Sequence, residues 1–274
     1  MKSVILSFLA LCFAVSPTFA ASSSWLKTEG AKIRLISMPS ADGESLQAGL
    51  QVELEKGWKT YWKAPGASGL PPQLDFSASK NVVKTRMHFP VPIAFGSSRN
   101  LTAGYDTSIT FPIDVEPLFA NRPVVLKATG LIGLCADICV PFQFELGLTE
   151  DGKGQSKRDI ARALLSSRSS LMSQSTERQN LSEVWFDDRD SKKLIIKARV
   201  PQDTQNGLLL VEGPSNWYLT PARASTISGD TARFEIDLSQ MPKGTDPTTE
   251  NLRFSLVADG VGVWQDMMPQ RRAK

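Results

Sequence analysis

The sequence predicts an all-β chain of two sandwich domains joined by a partly helical linker. Three observations carry this. Short runs with partial alternation of apolar and polar residues recur along the 274 residues, and 19 glycines and 17 prolines punctuate them. One stretch near the middle, 156–171, breaks the pattern with apolar residues at helical spacing. The length itself suits two domains.

The chain opens with Lys2 before an apolar run, 4–15, and Thr18-Phe19-Ala20 then offers a small-residue cleavage site. This reads as a signal peptide spanning 1–20, cut after Ala20 or Ala21. Cys12 leaves with it. A lipid anchor at Cys12 would need a small residue before it, and Leu11 stands there. Export places the mature chain in an oxidising compartment, most simply the periplasm of a Gram-negative bacterium. No later stretch reaches the run of about 18 apolar residues that a membrane span needs.

Strand candidates in the first domain, 21–150, are 31–38 and 46–54 around an Asp42-Gly43 turn, then 82–88, 108–115, 124–133 and 142–148. The linker, 151–180, holds Ile160, Ala163, Leu164 and Leu171 on roughly one stripe, with Ser156 as N-cap. The second domain, 181–274, offers strands at 181–186, 194–200, 208–212, 233–238 and 252–258. Turn chemistry such as Asn206-Gly207 and Pro242-Lys243-Gly244 separates them.

Cys135 and Cys139 are the cysteines left in the mature chain. Extended, their Cα atoms would stand about 13 Å apart, too far to bridge. A tight turn brings them to about 6 Å, so the segment leaves a strand near Leu134 and doubles back before Pro141. Three readings follow. As a staple the pair is weak, because so short a loop contributes about 2 kcal/mol against about 4.7 for one of a hundred residues. Redox exchange is favoured over the staple, and metal binding is the third possibility.

An aromatic segment precedes them: Gly57-Trp58-Lys59-Thr60-Tyr61-Trp62, then Pro65-Gly66 and Gly69-Leu70-Pro71-Pro72. Its aromatics are core candidates, with Tyr61 or Trp58 as the alternative neighbour of the cysteine loop. These motifs, followed by Phe89-Pro90-Val91-Pro92, Tyr105 and Cys135-Ala136-Asp137-Ile138-Cys139-Val140-Pro141, resemble the periplasmic N-terminal domain of the DsbD and ScsB thiol:disulfide interchange proteins. The match spans about 25–149. The three-residue spacing of the cysteines is similar to the ScsB type, the better-known DsbD domain having a longer insert. The second β domain also fits the ScsB-like arrangement.

The resemblance implies immunoglobulin-like sandwiches and a catalytic pair, Cys135 and Cys139, that relays electrons through mixed disulfides. It also implies an aromatic cap, for which Phe95 is the candidate, and an active-site aromatic, Tyr61. The partners implied are periplasmic thioredoxin-like proteins and a separate membrane electron donor, since no transmembrane or thioredoxin domain is seen in the sequence. No cofactor is implied, neither a small molecule nor a resident metal. Asp137 lies between the cysteines and the nearest basic residues along the chain are Lys127 and Lys153, so little local activation of a thiol is expected.

Two other classes compete. The first is a copper-binding or copper-tolerance protein using the same thiolates, because Cys-x3-Cys with a histidine is similar to copper chaperones of the Sco type. His88 is the lone histidine, however, and reads as structural, while zinc would need two more ligands. The second is a binding module with an incidental disulfide, in which Asn216-Trp217-Tyr218 and Val263-Trp264-Gln265 of the second domain meet a partner. Without the signal peptide the chain has 30 basic and 28 acidic residues, a balance that argues against nucleic acid. A hydrolytic triad lacks G-x-S-x-G, and neither phosphate-binding glycine pattern occurs.

Overall fold

The computed structural model describes residues 20–271 apart from 42–44, 67, 98–99, 121, 150–156, 187–192, 215 and 240. Residues 1–19 of the expected signal peptide, the expected Asp42-Gly43 turn and the expected Ser156 cap lie outside the described residues. The first half carries β1 Ala21–Ser22, β2 Leu26–Thr28, β3 Ala31–Pro39, β4 Leu46–Leu54, β5 Thr60–Tyr61, β6 Gln73–Asp75, β7 Lys84–Met87, β8 Ile93–Phe95, β9 Thr102–Tyr105, β10 Ile109–Glu116, β11 Val125–Cys135 and β12 Cys139–Thr149. Helix α1, Lys157–Ser169, follows. The second half carries β13 Ser173–Gln174, β14 Asn180–Phe186, β15 Lys193–Arg199, β16 Gly207–Glu212, β17 Ala222–Arg223, β18 Thr226–Ser228, β19 Thr231–Asp237, β20 Leu252–Ala258, β21 Val261–Met267 and β22 Gln270–Arg271.

In the first half a sheet ordered β1-β3-β4-β10-β7, with β2 also on β3, faces a smaller sheet ordered β12-β11-β6. Alternate residues of β3 and β4, Ile33, Leu35, Leu50 and Val52, meet Leu126, Ile132 and Leu134 of β11 in one core. A third sheet, β5-β9-β8, closes one flank. The chain is all-β apart from α1 and a short 3-10 turn, Pro247–Thr249, among the described residues.

Helix α1 packs on the outer face of the large sheet. Ile160 and Leu164, one turn apart, bury against Ala20 and Ile36. A Cβ on Gly49 would lie 2.9 Å from a methyl of Leu164, so glycine there makes room for the helix. Because α1 covers Ile36 while Ile33 and Leu35 face the core, β3 is buried on both sides. Leu171 does not continue the helical stripe as its spacing suggested. The helix ends at Ser169, and Leu171 forms an isolated bridge with Pro90.

The second half stacks a sheet ordered β13-β21-β20-β16-β17 on one ordered β18-β19-β15-β14-β22. Its core contains Leu209, Val211, Phe234, Phe254 and Leu256. The intervening side chains Leu208, Leu210 and Val257 point the other way and join the core of the first half. Burial on both faces explains why 208–211 reads as an unbroken apolar run instead of an alternating one. A Lys63–Glu212 ion pair at 2.8 Å crosses the same boundary. Among the described residues no helix is long and apolar enough to cross a membrane.

Candidate active site

The cysteines close a long hairpin. β11 and β12 pair without interruption from Val125↔Thr149 to Cys135↔Cys139, and 136–138 make the loop. Three residues between the cysteines are what this hairpin requires, and the Ala136 N–H donates to the Ile138 carbonyl at 3.2 Å to close it. On its other side Cys135 exchanges both backbone hydrogen bonds with Lys59, at 2.8 and 3.0 Å. Cys135 therefore faces Cys139 as the non-hydrogen-bonded, closer kind of antiparallel pair. Their Cα atoms are 4.0 Å apart and the sulfurs are joined in a disulfide.

The aromatic segment reaches the pair through Thr60 and Tyr61. Thr60 is fully buried and its hydroxyl donates to the Gly133 carbonyl at 2.9 Å, which anchors β5 against β11. Tyr61, 4 % exposed, then lies beneath the hairpin tip with its hydroxyl 3.1 Å from Cys139 Sγ. A disulfide sulfur carries no proton, so the phenol is the donor. Two glycines accommodate the ring. A Cβ on Gly133 would lie 2.8 Å from it and one on Gly69 2.7 Å, the latter at a φ of +132° that already favours glycine. Burial raises the Tyr61 pKa, which keeps the hydroxyl protonated.

Phe95 is the next wall. Its ring centroid is 6.3 Å from that of Tyr61, and it lies over Gly104, where a Cβ would meet the ring at 2.9 Å. The Lys59 ammonium stands 5.7 Å from the Phe95 ring centre and donates to the Gly57 carbonyl at 3.3 Å. Phe95 thus touches the two residues, Lys59 and Tyr61, that each contact one cysteine. Cys139 is exposed and Cys135 half-buried. Beside Cys139 along the chain, Ile138 is 75 % exposed and Val140 40 %, an apolar flank.

Four candidates from the sequence thus converge: Cys135, Cys139, Tyr61 and Phe95. Trp58 does not join them. Its ring lies on Gly30, where a Cβ would overlap it, and Trp62 is a core residue 1 % exposed. Tyr105 is buried and donates to the Pro90 carbonyl at 2.8 Å. Trp217 fills the second core while Tyr218 is exposed. His88 Nε2 sits 2.6 Å from an Asp114 carboxylate oxygen whose partner oxygen accepts from Arg168, also at 2.6 Å.

Nearness along the chain misled on charge. Lys127 is eight strand residues from Cys135, about 26 Å, while Lys59, remote along the chain, runs alongside Cys135 in space. Its position within the quoted Gly57–Trp62 motif was the available signal. Among the described residues no group of three or more His, Cys, Asp or Glu side chains is placed to hold a metal ion.

Comparison with known proteins agrees with this geometry. The N-terminal domain described as "Thiol:disulfide interchange protein DsbD, N-terminal" matches residues 27–150. Among solved structures, the N-terminal periplasmic domain of ScsB from Proteus mirabilis superposes with a TM-score of 0.71 over 90 % of this chain and 98 % of that one, at 22 % identity. At that identity the likeness is one of fold, and its coverage includes the second sandwich. No curated protein matches the chain. Residues 27–150, with the cysteine hairpin at their far end, are thus the part of this chain that is similar to the DsbD N-terminal thiol:disulfide interchange domains.

Proposed function

We propose that this chain is a periplasmic thiol:disulfide interchange protein that passes electrons through Cys135 and Cys139 from a membrane donor to thioredoxin-like partners. The observation that carries the reading is the placement of the disulfide: at an exposed hairpin tip, flanked by apolar side chains, with a buried phenol donating to Cys139 Sγ at 3.1 Å. A staple would be sheltered and would have no use for an aimed donor. The similarity of residues 27–150 to that family supports the same chemistry. The likeness to a periplasmic domain and the small-residue site at Ala20 support the location.

Cys139 is the exchanging sulfur in this reading, because it is the exposed one and the Tyr61 hydroxyl stabilises the thiolate formed on it. The reduced Cys139 thiolate attacks one sulfur of an oxidised partner, forming a mixed disulfide and expelling the partner's other thiolate. The Cys135 thiolate then attacks Cys139 Sγ, closes the intrachain disulfide and releases the partner's remaining thiolate. Two electrons have moved to the partner, and the donor restores the dithiol. The exposed apolar side chains Ile138 and Val140 on either side of Cys139 are suited to transient docking.

Equilibration with glutathione buffers tests this directly. A carrier titrates between about −120 and −270 mV, whereas a structural bridge lies below about −300 mV. A value in the lower range would replace exchange with the binding-module reading. The Cys135→Ser protein is expected to accumulate a mixed disulfide with a thioredoxin-like partner, and the Cys139→Ser protein is not.

A further inference from the structure

The second sandwich reaches the aromatic wall of the site at two points. Arg223 Nη2 donates to the Ala94 carbonyl at 2.8 Å, one residue before Phe95. That carbonyl is available because of the register of β8. Ala94 pairs with Ala103, which spends its N–H on Pro65 and its C=O on Trp62, both at 3.0 Å. Ala94 is therefore on the non-hydrogen-bonded side of β9, with its own N–H and C=O turned outward. The other point is Gly66, where a Cβ would stand 2.8 Å from the Pro221 ring. The chain runs from there to Gly69, which backs the Tyr61 ring.

One short stretch, 220–223, thus abuts both supports of the aromatic wall beside the disulfide: the β8 strand that carries Phe95 and the loop under Tyr61. β8 has little else to hold it. It is three residues long, sits at the edge of its sheet, and among the described residues pairs with β9 alone. Pro221 and Ala222 are buried while Arg223 is exposed, so the stretch is anchored in its own sandwich and extends its guanidinium outward.

We propose that the second sandwich braces the cover of the Cys135–Cys139 disulfide, with Arg223 as the positioning residue that holds β8 and Phe95 in place. The inference rests on the reading of Phe95 as a cover, a partial one that narrows the approach to the sulfurs, since Cys139 stays exposed and Cys135 half-buried. It gives the second sandwich a task in exchange: a partner that engages residues 220–223 releases the cover over the sulfurs it is about to attack. Reaction then follows the fraction of molecules with the cover open.

The test is the rate at which dithiothreitol reduces the oxidised full chain. A dithiothreitol thiolate attacks one protein sulfur and breaks the S–S bond. Its second thiol then closes the ring, leaving two protein thiols and oxidised dithiothreitol. Arg223→Ala is expected to accelerate this about fivefold, from loss of one charge-assisted hydrogen bond, without moving the unfolding midpoint. Loss of a cation near the site would by itself slow an anionic attacker, so acceleration has the sign of uncovering and not of electrostatics. Arg223→Lys, which keeps a donor for the carbonyl, is expected to restore most of the slow rate. Phe95→Ala sets the ceiling, and adding Arg223→Ala to it is expected to change nothing further. If Phe95→Ala accelerates and Arg223→Ala does not, the brace is wrong and the cover stands. If neither accelerates, the cover itself is wrong. If the two effects multiply, Arg223 acts by another route and the brace is also wrong.

Discussion

The Tyr61 hydroxyl lies 3.1 Å from Cys139 Sγ, although the two residues are 78 positions apart. The contact joins the buried end of the aromatic segment to the exposed end of the hairpin. In the disulfide it is a weak hydrogen bond to sulfur. In the dithiol the same donor faces a charge, where a hydrogen bond is worth more.

Tyr61→Phe removes that donor and little else, since the ring keeps its seat between Gly69 and Gly133. A hydrogen bond to a charged group contributes about 1.5–3 kcal/mol. Alkylation of the reduced protein by iodoacetamide at neutral pH is expected to slow by about tenfold, with the pH profile moved upward. An unchanged profile would show that the phenol does not serve the thiolate.

Gly133→Ala places a methyl 2.8 Å from both the Tyr61 ring and the Leu70 carbonyl. The backbone oxygen cannot swing aside, so the ring must yield. A loss of about 1–3 kcal/mol in stability is expected from overpacking, along with the exchange defect of Tyr61→Phe. Denaturant melts and the alkylation assay on one sample check both.

Leu164→Ala should separate stability from chemistry. Leu164 is fully buried between α1 and the large sheet, and such truncations cost about 2–5 kcal/mol. The site lies on β5, β8 and the β11–β12 tip, none of which α1 supports, so the reduction potential of the pair is expected to hold.

Acid should loosen α1. Burial raises the Asp114 pKa, but hydrogen bonds from Arg168 and His88 lower it more, and the net shift is downward. A carboxylate depressed in the folded state contributes stability above its unfolded pKa of about 3.9, and loses it as pH falls toward the folded value. Asp114→Asn is expected to flatten the pH dependence of the unfolding midpoint below about pH 4, most visibly at low salt.

Export should leave Ala21 as the first residue. Ala21 is 1 % exposed and pairs with Ser37 in β1, so cleavage after Ala21 would remove a strand residue, whereas cleavage after Ala20 keeps β1 whole and gives up only the contact of Ala20 with α1. Mass determination of the secreted chain distinguishes the two.

Much of this molecule was legible in one dimension. Strand 46–54 was read residue for residue, because one face of that strand meets the core and alternation survives. The cysteine spacing called for a turn, and the turn is the hairpin tip. The short strands β5, β8 and β9 were not legible, being too brief to carry a period, yet they bring Tyr61 to Cys139 and Phe95 to Tyr61.

The sequence by itself determined an all-β chain with an exposed Cys-x3-Cys turn, since periodicity, turn residues and spacing are local properties. Only the tertiary structure decided which side chains surround the pair. Lys59 and Tyr61 share one segment while Phe95 and Arg223 lie on two others, and hydrogen bonds, backbone to backbone between Lys59 and Cys135 and from the Arg223 guanidinium to the Ala94 carbonyl, hold them together. The Lys59–Cys135 bonds join backbone to backbone largely without regard to residue type, and the Ala94 carbonyl accepts from whichever donor reaches it, so these partners leave no mark in the sequence.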